Sequence, residues 1–259
     1  VYLTQASEDF RVKSEIYAVH PLRAKIGVKE GVTVDQRYFV YDIHENAAGE
    51  QTTVRKGVMR ATSNIAENEG MATGDGPATT FYQTYGKRLR PGMLIRQQPD
   101  WGVGCSVLGG MDLQVLVELS VGMWLAKYIP SMEGTKFPYG TKAYLRYGLP
   151  FERMQIDGIR MDKNYSYGFI SVGLSKDLYF AHYFSITPYV GFQEMLVSEE
   201  DQEWIDEVAK PTSGYEAGLN ASIAILHNVQ LTGSAGWSML KYGWFPSGLT
   251  AGGGLRVQF

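Results

Sequence analysis

The sequence predicts an all-β chain: an eight-stranded antiparallel transmembrane β-barrel over residues 101–259, preceded by a small β-domain over residues 1–100. Three observations predict it. From Trp101 onward apolar and polar residues alternate with a period of two in runs of roughly ten, the length a tilted strand needs to cross a bilayer. The chain holds 30 glycines, 17 tyrosines and 5 tryptophans, a composition that favours strands and turns over helices. No run of about eighteen apolar residues exists, which excludes a membrane-spanning helix.

The formal charge of −3 supplies no cationic excess for nucleic acid as a partner. The sole cysteine, Cys105, excludes an internal disulfide framework. The chain starts at Val1 without an initiator Met or an apolar signal segment, so it reads as a processed or truncated product.

In the first hundred residues, Phe10–Val19 reads as a strand followed by a turn at His20-Pro21. Gly27 and Gly31 punctuate a turn within Lys25–Val32. Arg37–Ile43 is a strand, His44–Gln51 a hairpin tip, and Thr52–Ala61 the returning strand. Two short strands are expected near Met71-Ala72 and Met93–Arg96, with a brief helical turn around Thr79–Gly86. The expected result is a compact barrel or sandwich. Asp75, Glu67, Glu69 and His44 could be grouped as a metal or acid–base cluster, but they sit in turns, where acids are ordinarily solvated. The basic residues Arg55, Lys56, Arg60, Lys87, Arg88 and Arg90 are scattered among acids rather than forming a nucleic-acid patch.

The first alternating run sets Trp101, Val103, Cys105 and Val107 against Gly102, Gly104, Ser106 and Leu108. The second sets Val115 through Leu125 (odd positions) against Leu116, Glu118, Ser120, Gly122 and Trp124. The third opposes Ala143, Leu145, Tyr147 and Leu149 to Tyr144, Arg146, Gly148 and Glu152. The fourth opposes Ile170, Val172, Leu174 and Leu178 to Phe169, Ser171, Gly173, Ser175 and Asp177. The fifth runs over Phe184–Gln193, the sixth over Tyr215–Ile225, the seventh over Val229–Met239. The eighth is Leu249–Phe259, with Arg256 on its polar face. The inward set of charges is Glu118, Arg146, Glu152, Glu216 and Arg256, mixed in sign and so expected to pair as a structural plug rather than to form an ion filter. Arg256 is expected to pair with Glu118 or Glu216.

Two segments carry family resemblances. The strand count, the alternation and the terminal Phe259 of residues 101–259 resemble the small eight-stranded outer-membrane barrels of the OmpA-transmembrane and OmpX type. That resemblance implies chain ends in the periplasm, residues 1–100 as a periplasmic domain, and Phe259 as the barrel-insertion signal. Loops Phe151–Tyr165, Leu196–Ser213 and Lys241–Ser247 would then be external, and Ala181-His182 and His227-Asn228 tight periplasmic turns. Asp112–Gln114 and Lys127–Gly140 break the rule of short inner turns and long outer loops. Residues 24–96, through Lys29-Glu30-Gly31-Val32, Arg37–Tyr41, Gly57–Ala61 and Pro91-Gly92-Met93, resemble the C-terminal module of flagellar assembly protein T. In that family the module serves protein–protein assembly. Asn68–Pro77 departs from its pattern, and no functional residue is carried over.

No catalytic, cofactor-binding or metal-binding set is expected. His182 and Ser185 are the only His/Ser proximity in the second half, and they fall on opposite faces. The acidic loop Glu199–Glu207 contains Trp204 and Ile205, candidate partner-binding residues; Ca2+ is the cation it would suit, against an ordinary solvated loop. Tyr128, Tyr179, Tyr242, Trp244 and Phe245 lie near strand ends, as interface aromatics do. The resulting expectation is a non-enzymatic outer-membrane protein of a Gram-negative bacterium. It would contact outer-membrane lipid and protein partners in the envelope, and anchor a periplasmic domain as a structural or accessory subunit of an envelope or secretion assembly. A lipid-modifying enzyme and a narrow channel are the alternatives.

Overall fold

The computed structural model describes residues 11–45, 49–71, 76–110, 116–129, 138–150, 155–156, 159–160, 167–197, 213–239 and 248–259. Two closed antiparallel barrels follow one another along the chain, and their radial polarity is opposite.

The first barrel closes six strands in the order β1-β2-β5-β4-β3-β6. They are β1 (Lys13–Val19), β2 (Leu22–Ala24), β3 (Arg37–Glu45), β4 (Gln51–Ala61), β5 (Thr79–Gly86) and β6 (Leu94–Gln97). Its inward side chains are apolar: Ile16, Ile26, Tyr38, Val40, Met59, Phe81 and Ile95 are buried in one cluster. Tyr38 and Phe81 meet edge to face with ring centroids 5.4 Å apart. Each such aliphatic or aromatic burial is worth about 1.5–3 kcal/mol, so this barrel has the core of a water-soluble domain. A single 3-10 turn at Val28–Glu30 ends on Gly31, whose φ of 70° places it in the left-handed region where a side chain is unfavourable.

Two expectations are corrected here. Thr79–Gly86 is a full strand rather than a helical turn, because its threonines and aromatics pair with β4 and β2. Met71 lies in a bend and not in a strand, and the last short strand starts at Leu94.

The second barrel closes eight strands around the order β7-β8-β9-β12-β14-β15-β16-β17, with β17 paired back to β7. They are β7 (Val103–Gly110), β8 (Leu116–Trp124), β9 (Thr141–Pro150), β12 (Tyr167–Lys176), β14 (Phe184–Val197), β15 (Ser213–Ala224), β16 (Val229–Ser238) and β17 (Leu249–Gln258). A short ribbon of β10 (Gln155–Ile156) and β11 (Ile159–Arg160) lies between β9 and β12, and β13 (Leu178–Ala181) continues the line of β12. Strand lengths of 8 to 14 residues bracket the span of a tilted transmembrane strand.

Here the outside is apolar. Val107, Leu119, Leu145, Val172, Val190, Leu219, Leu231 and Leu255 are all exposed, on strands distributed around the barrel. The inside is polar: Lys142, Arg146, Ser171, Thr187, Gln193, Glu216, Ser222 and Thr232 are buried. Alternation along β15 makes this explicit, with exposed and covered positions changing at every step. Two strand ends differ from expectation. Trp101 precedes β7 and is 71% exposed, and Leu125 opens a four-residue helical turn, Leu125–Tyr128, instead of extending β8.

Candidate functional site

The polar side chains of the second barrel form two groups. In the first, the Arg146 guanidinium donates to a Glu216 carboxylate oxygen at 3.1 Å, and Tyr144 donates its hydroxyl proton to the other oxygen at 2.7 Å. Arg146 also lies 4.5 Å from the Tyr189 ring. These residues come from β9, β14 and β15, so the group spans the lumen from wall to wall.

The second group is centred on Asp177, fully buried between β12 and β13. Its carboxylate accepts from Thr187 at 2.8 Å, from Arg256 at 3.1 Å and from the Lys142 ammonium. The local chain explains the position. Ser175 pairs with Tyr189 and Leu178 with Ile186, so the ladder lapses opposite Thr187-Pro188. Proline has no N–H to contribute, and the Asp177 N–H bonds instead to the Gly140 carbonyl at 2.8 Å.

This corrects the expected partner of Arg256. Among the described side chains it pairs with Asp177 and not with Glu216, while the side chain of Glu118 lies outside the described residues. Alternation assigns a residue to the lumen face but not to a height within it, and height decides which charges meet. Arg146 and Glu216 do come together. Glu118 lies on β8 opposite Gly148, while Glu152, Trp204 and Ile205 fall outside the described residues. Phe259 is 48% exposed, and its N–H donates to the Val103 carbonyl at 2.8 Å. His182 sits in the turn after β13 with its ring against Tyr183, and Ser185 is buried on β14.

A cavity of about 50 Å³ separates the two groups' side chains, lined among others by Ser106, Ser120, Tyr144, Arg146, Thr187 and Arg256. That is room for a few water molecules and no larger solute.

The second group continues into the joint between the barrels. Trp124, the last residue of β8, is fully buried, with the Lys142 ammonium 4.1 Å from its ring and the Arg60 guanidinium at 4.5 Å. Arg60 belongs to β4 of the first barrel, on the face opposite the core residue Met59. It donates to Asp100 at 2.5 Å and to the Asp35 carbonyl at 2.7 Å. Lys127, in the helical turn after β8, reaches the same Asp100 carboxylate at 2.7 Å. Asp35 holds a positive φ of 61°, which turns its carboxylate to accept the Gly140 N–H at 2.9 Å and the Tyr82 hydroxyl at 2.7 Å. The Tyr82 ring lies 4.9 Å from Tyr139 and 5.3 Å from Tyr179.

Electrostatics outside the strands follow from this packing. Burial disfavours charge on Asp100, yet Arg60, Lys127 and Arg37 together hold its carboxyl well below the usual range. Burial pulls Lys127 down to about 8 despite Asp100. Burial raises Asp35 against the pull of its Tyr82 and Gly140 hydrogen bonds. Among the described residues no cluster of three or more His, Cys, Asp or Glu could hold a metal ion.

Alternation already placed Asp177 on the inward face. Nothing in the sequence marked Lys142, Arg60, Asp100 or Asp35 as members of one network, because they converge only when the two barrels stack.

No protein-family model matches the chain, and no curated protein matches it. Among solved structures the chain is similar to the N-terminal β-barrel domain of OprF from Pseudomonas aeruginosa, at 13% identity and a TM-score of 0.38. The match covers 61% of this chain and 96% of that one. A likeness at this level carries no functional argument. The resemblance of residues 24–96 to the flagellar module has no counterpart in these matches.

Proposed function

We propose that the chain is a non-enzymatic outer-membrane β-barrel protein of a Gram-negative bacterium. In this reading its eight-stranded barrel is a closed anchor, and its six-stranded barrel is held against the periplasmic end. The whole acts as a structural or accessory subunit of an envelope assembly. One observation carries the membrane reading: the two barrels have inverted polarity, apolar inside and polar outside in the first, polar inside and apolar outside in the second. In water an exterior belt of exposed Leu, Val, Ile and Phe on every side of a barrel would drive association; in lipid it is the favoured surface.

The anchoring role is supported by the ion-paired lumen and by the buried joint, which spends charged groups on holding the barrels together rather than on a path through them. The lumen's opposite charges neutralise one another, unlike a single-sign ring that would select ions. The test is direct. Purified from membranes in detergent, the folded chain should migrate differently on SDS gels before and after boiling. Uniform migration, with a chain that stays monomeric in buffer without detergent, would sink the membrane reading. Capture of the intact chain from native membranes, followed by mass spectrometry, should return stoichiometric envelope proteins; their absence would remove the accessory role while leaving the anchor.

A further inference from the structure

One strongly charged face of the first barrel borders the joint. Cross-strand pairing puts Tyr41 beside Arg55, Phe39 beside Arg96, and Arg96 beside Lys13, so these side chains share the outer face of β4, β3, β6 and β1. Arg37, two residues before Phe39 on β3, has the same parity. The guanidinium of Arg55 lies 4.8 Å from the Phe39 ring, that of Arg37 5.9 Å, and that of Arg96 4.8 Å from the Tyr41 ring. Three guanidinium groups thus lie against two aromatics, with Lys13 opposite Arg96, in a chain whose net charge is −3. Of the neighbouring acids, Glu15 follows Lys13 by two residues on β1, opposite Leu94, and Asp42, on the other side of the β3–β4 ribbon, is taken up by Lys56 at 3.6 Å.

The position of this face is as informative as its charge. Phe39 meets the ring of His227 edge-on at 5.5 Å, and Arg55 reaches His227 Nδ1 at 3.4 Å. His227 lies in the turn between β15 and β16, and the residues before it, Ile225 and Leu226, are 53% and 52% exposed. The basic–aromatic face therefore begins where the apolar belt of the second barrel ends. A headgroup layer extends about 5–8 Å beyond the hydrocarbon on each side of a bilayer. Arginine, lysine and tyrosine at that depth are the residues that anchor proteins to the interface.

We propose, resting on the membrane reading above, that this face binds the phosphate headgroups of phospholipids in the leaflet next to the first barrel. Arg55 and Lys13, both exposed, are the primary phosphate contacts, and Phe39 and Tyr41 form the aromatic floor that orients the guanidinium groups. The small barrel is thereby seated on the membrane surface at its side as well as on the membrane barrel at its top.

The test uses the full chain with Lys13→Glu and Arg55→Glu together, substitutions that leave the Asp100 and Asp35 contacts and both barrel interiors untouched, with His227→Ala as the control for loss of the Arg55–His227 contact. Wild type and variant are purified in detergent, checked for heat-modifiable migration, and titrated with phosphatidylglycerol, with retained lipid counted by native mass spectrometry. The wild type should hold phosphatidylglycerol at least about tenfold more tightly than the variant, since each cation near an anionic surface contributes about that order of selectivity in pairs. Equal affinity in two heat-modifiable proteins overturns the headgroup site alone. A wild type that is not heat-modifiable overturns the membrane reading with it. Unchanged lipid affinity combined with variant-sensitive binding of poly-glutamate would assign the face to an acidic protein instead.

Discussion

Asp100 is the residue on which the joint depends. It balances Arg60 and Lys127, whose side chains are 1% and 10% exposed. Asp100→Asn would leave two buried cations facing a neutral amide, a change that costs about 3–5 kcal/mol when a buried pair loses one partner. Equilibrium unfolding, or faster proteolytic release of residues 11–97, should report it. The pH dependence has a definite sign. The folded carboxyl lies below its ordinary value of 3.8, so its stabilisation is fully present above 3.8 and is lost as pH falls below that value. Asp35 is shifted the other way by burial and contributes the opposite slope. The acid limb of a stability–pH profile should therefore be shallower in Asp100→Asn than in the wild type. Neither residue was legible as functional in the sequence. Arg60 has the parity of the small barrel's outer face, where a cation ordinarily meets water, and only the stacking of a second barrel turns that surface into an interior.

At the scale of the element, the lumen wall is thinned where tyrosines cross it. Gly173 pairs with Gly191, and Gly218 with Gly236, so two glycines face each other at each place. The hydroxyl end of Tyr144 lies over the first pair, where a Cβ on Gly173 would come within 2.6 Å of it, and that of Tyr189 over the second, 2.5 Å from a Cβ on Gly218. An aromatic covering strand glycines restores packing that glycine alone forfeits. Gly191→Ala should push Tyr144 away from Glu216 and cost about 1–3 kcal/mol as an overpacked position. A lower temperature for loss of the folded band on unboiled gels would show it; an unchanged temperature would mean that the wall yields. Strand existence and facing were readable from alternation alone, since period two survives in all eight strands. Thr79–Gly86 is not legible as a strand, because a Thr-Thr-Phe-Tyr run without clean alternation gives no facing signal until β4 pairs with it. The long connection from Lys127 to Gly140 looked like an irregularity of loop length. Its described ends explain it, since Lys127, Tyr139 and Gly140 all contact the first barrel.

For the whole molecule, the two barrels have inverted polarity, and composition hides it. A mean hydropathy of −0.18 averages an apolar belt with a polar lumen. The two charge groups and the Trp124 stack fill the eight-stranded barrel, leaving water-sized space between the two groups. In planar bilayers the wild-type protein should show no sustained conductance steps at neutral pH. Steady single-channel currents would mean that the lumen groups part readily and that the barrel serves as a pore. The joint also has a mechanical consequence. Arg60 holds the linker residue Asp100, and Asp35 holds Gly140 just before β9, so a pull on the small barrel is shared between the linker and a second point on the eight-stranded barrel. Torque is shared in the same way. Whatever grips the small barrel therefore turns the eight-stranded barrel with it, and the pair behaves as a single lever.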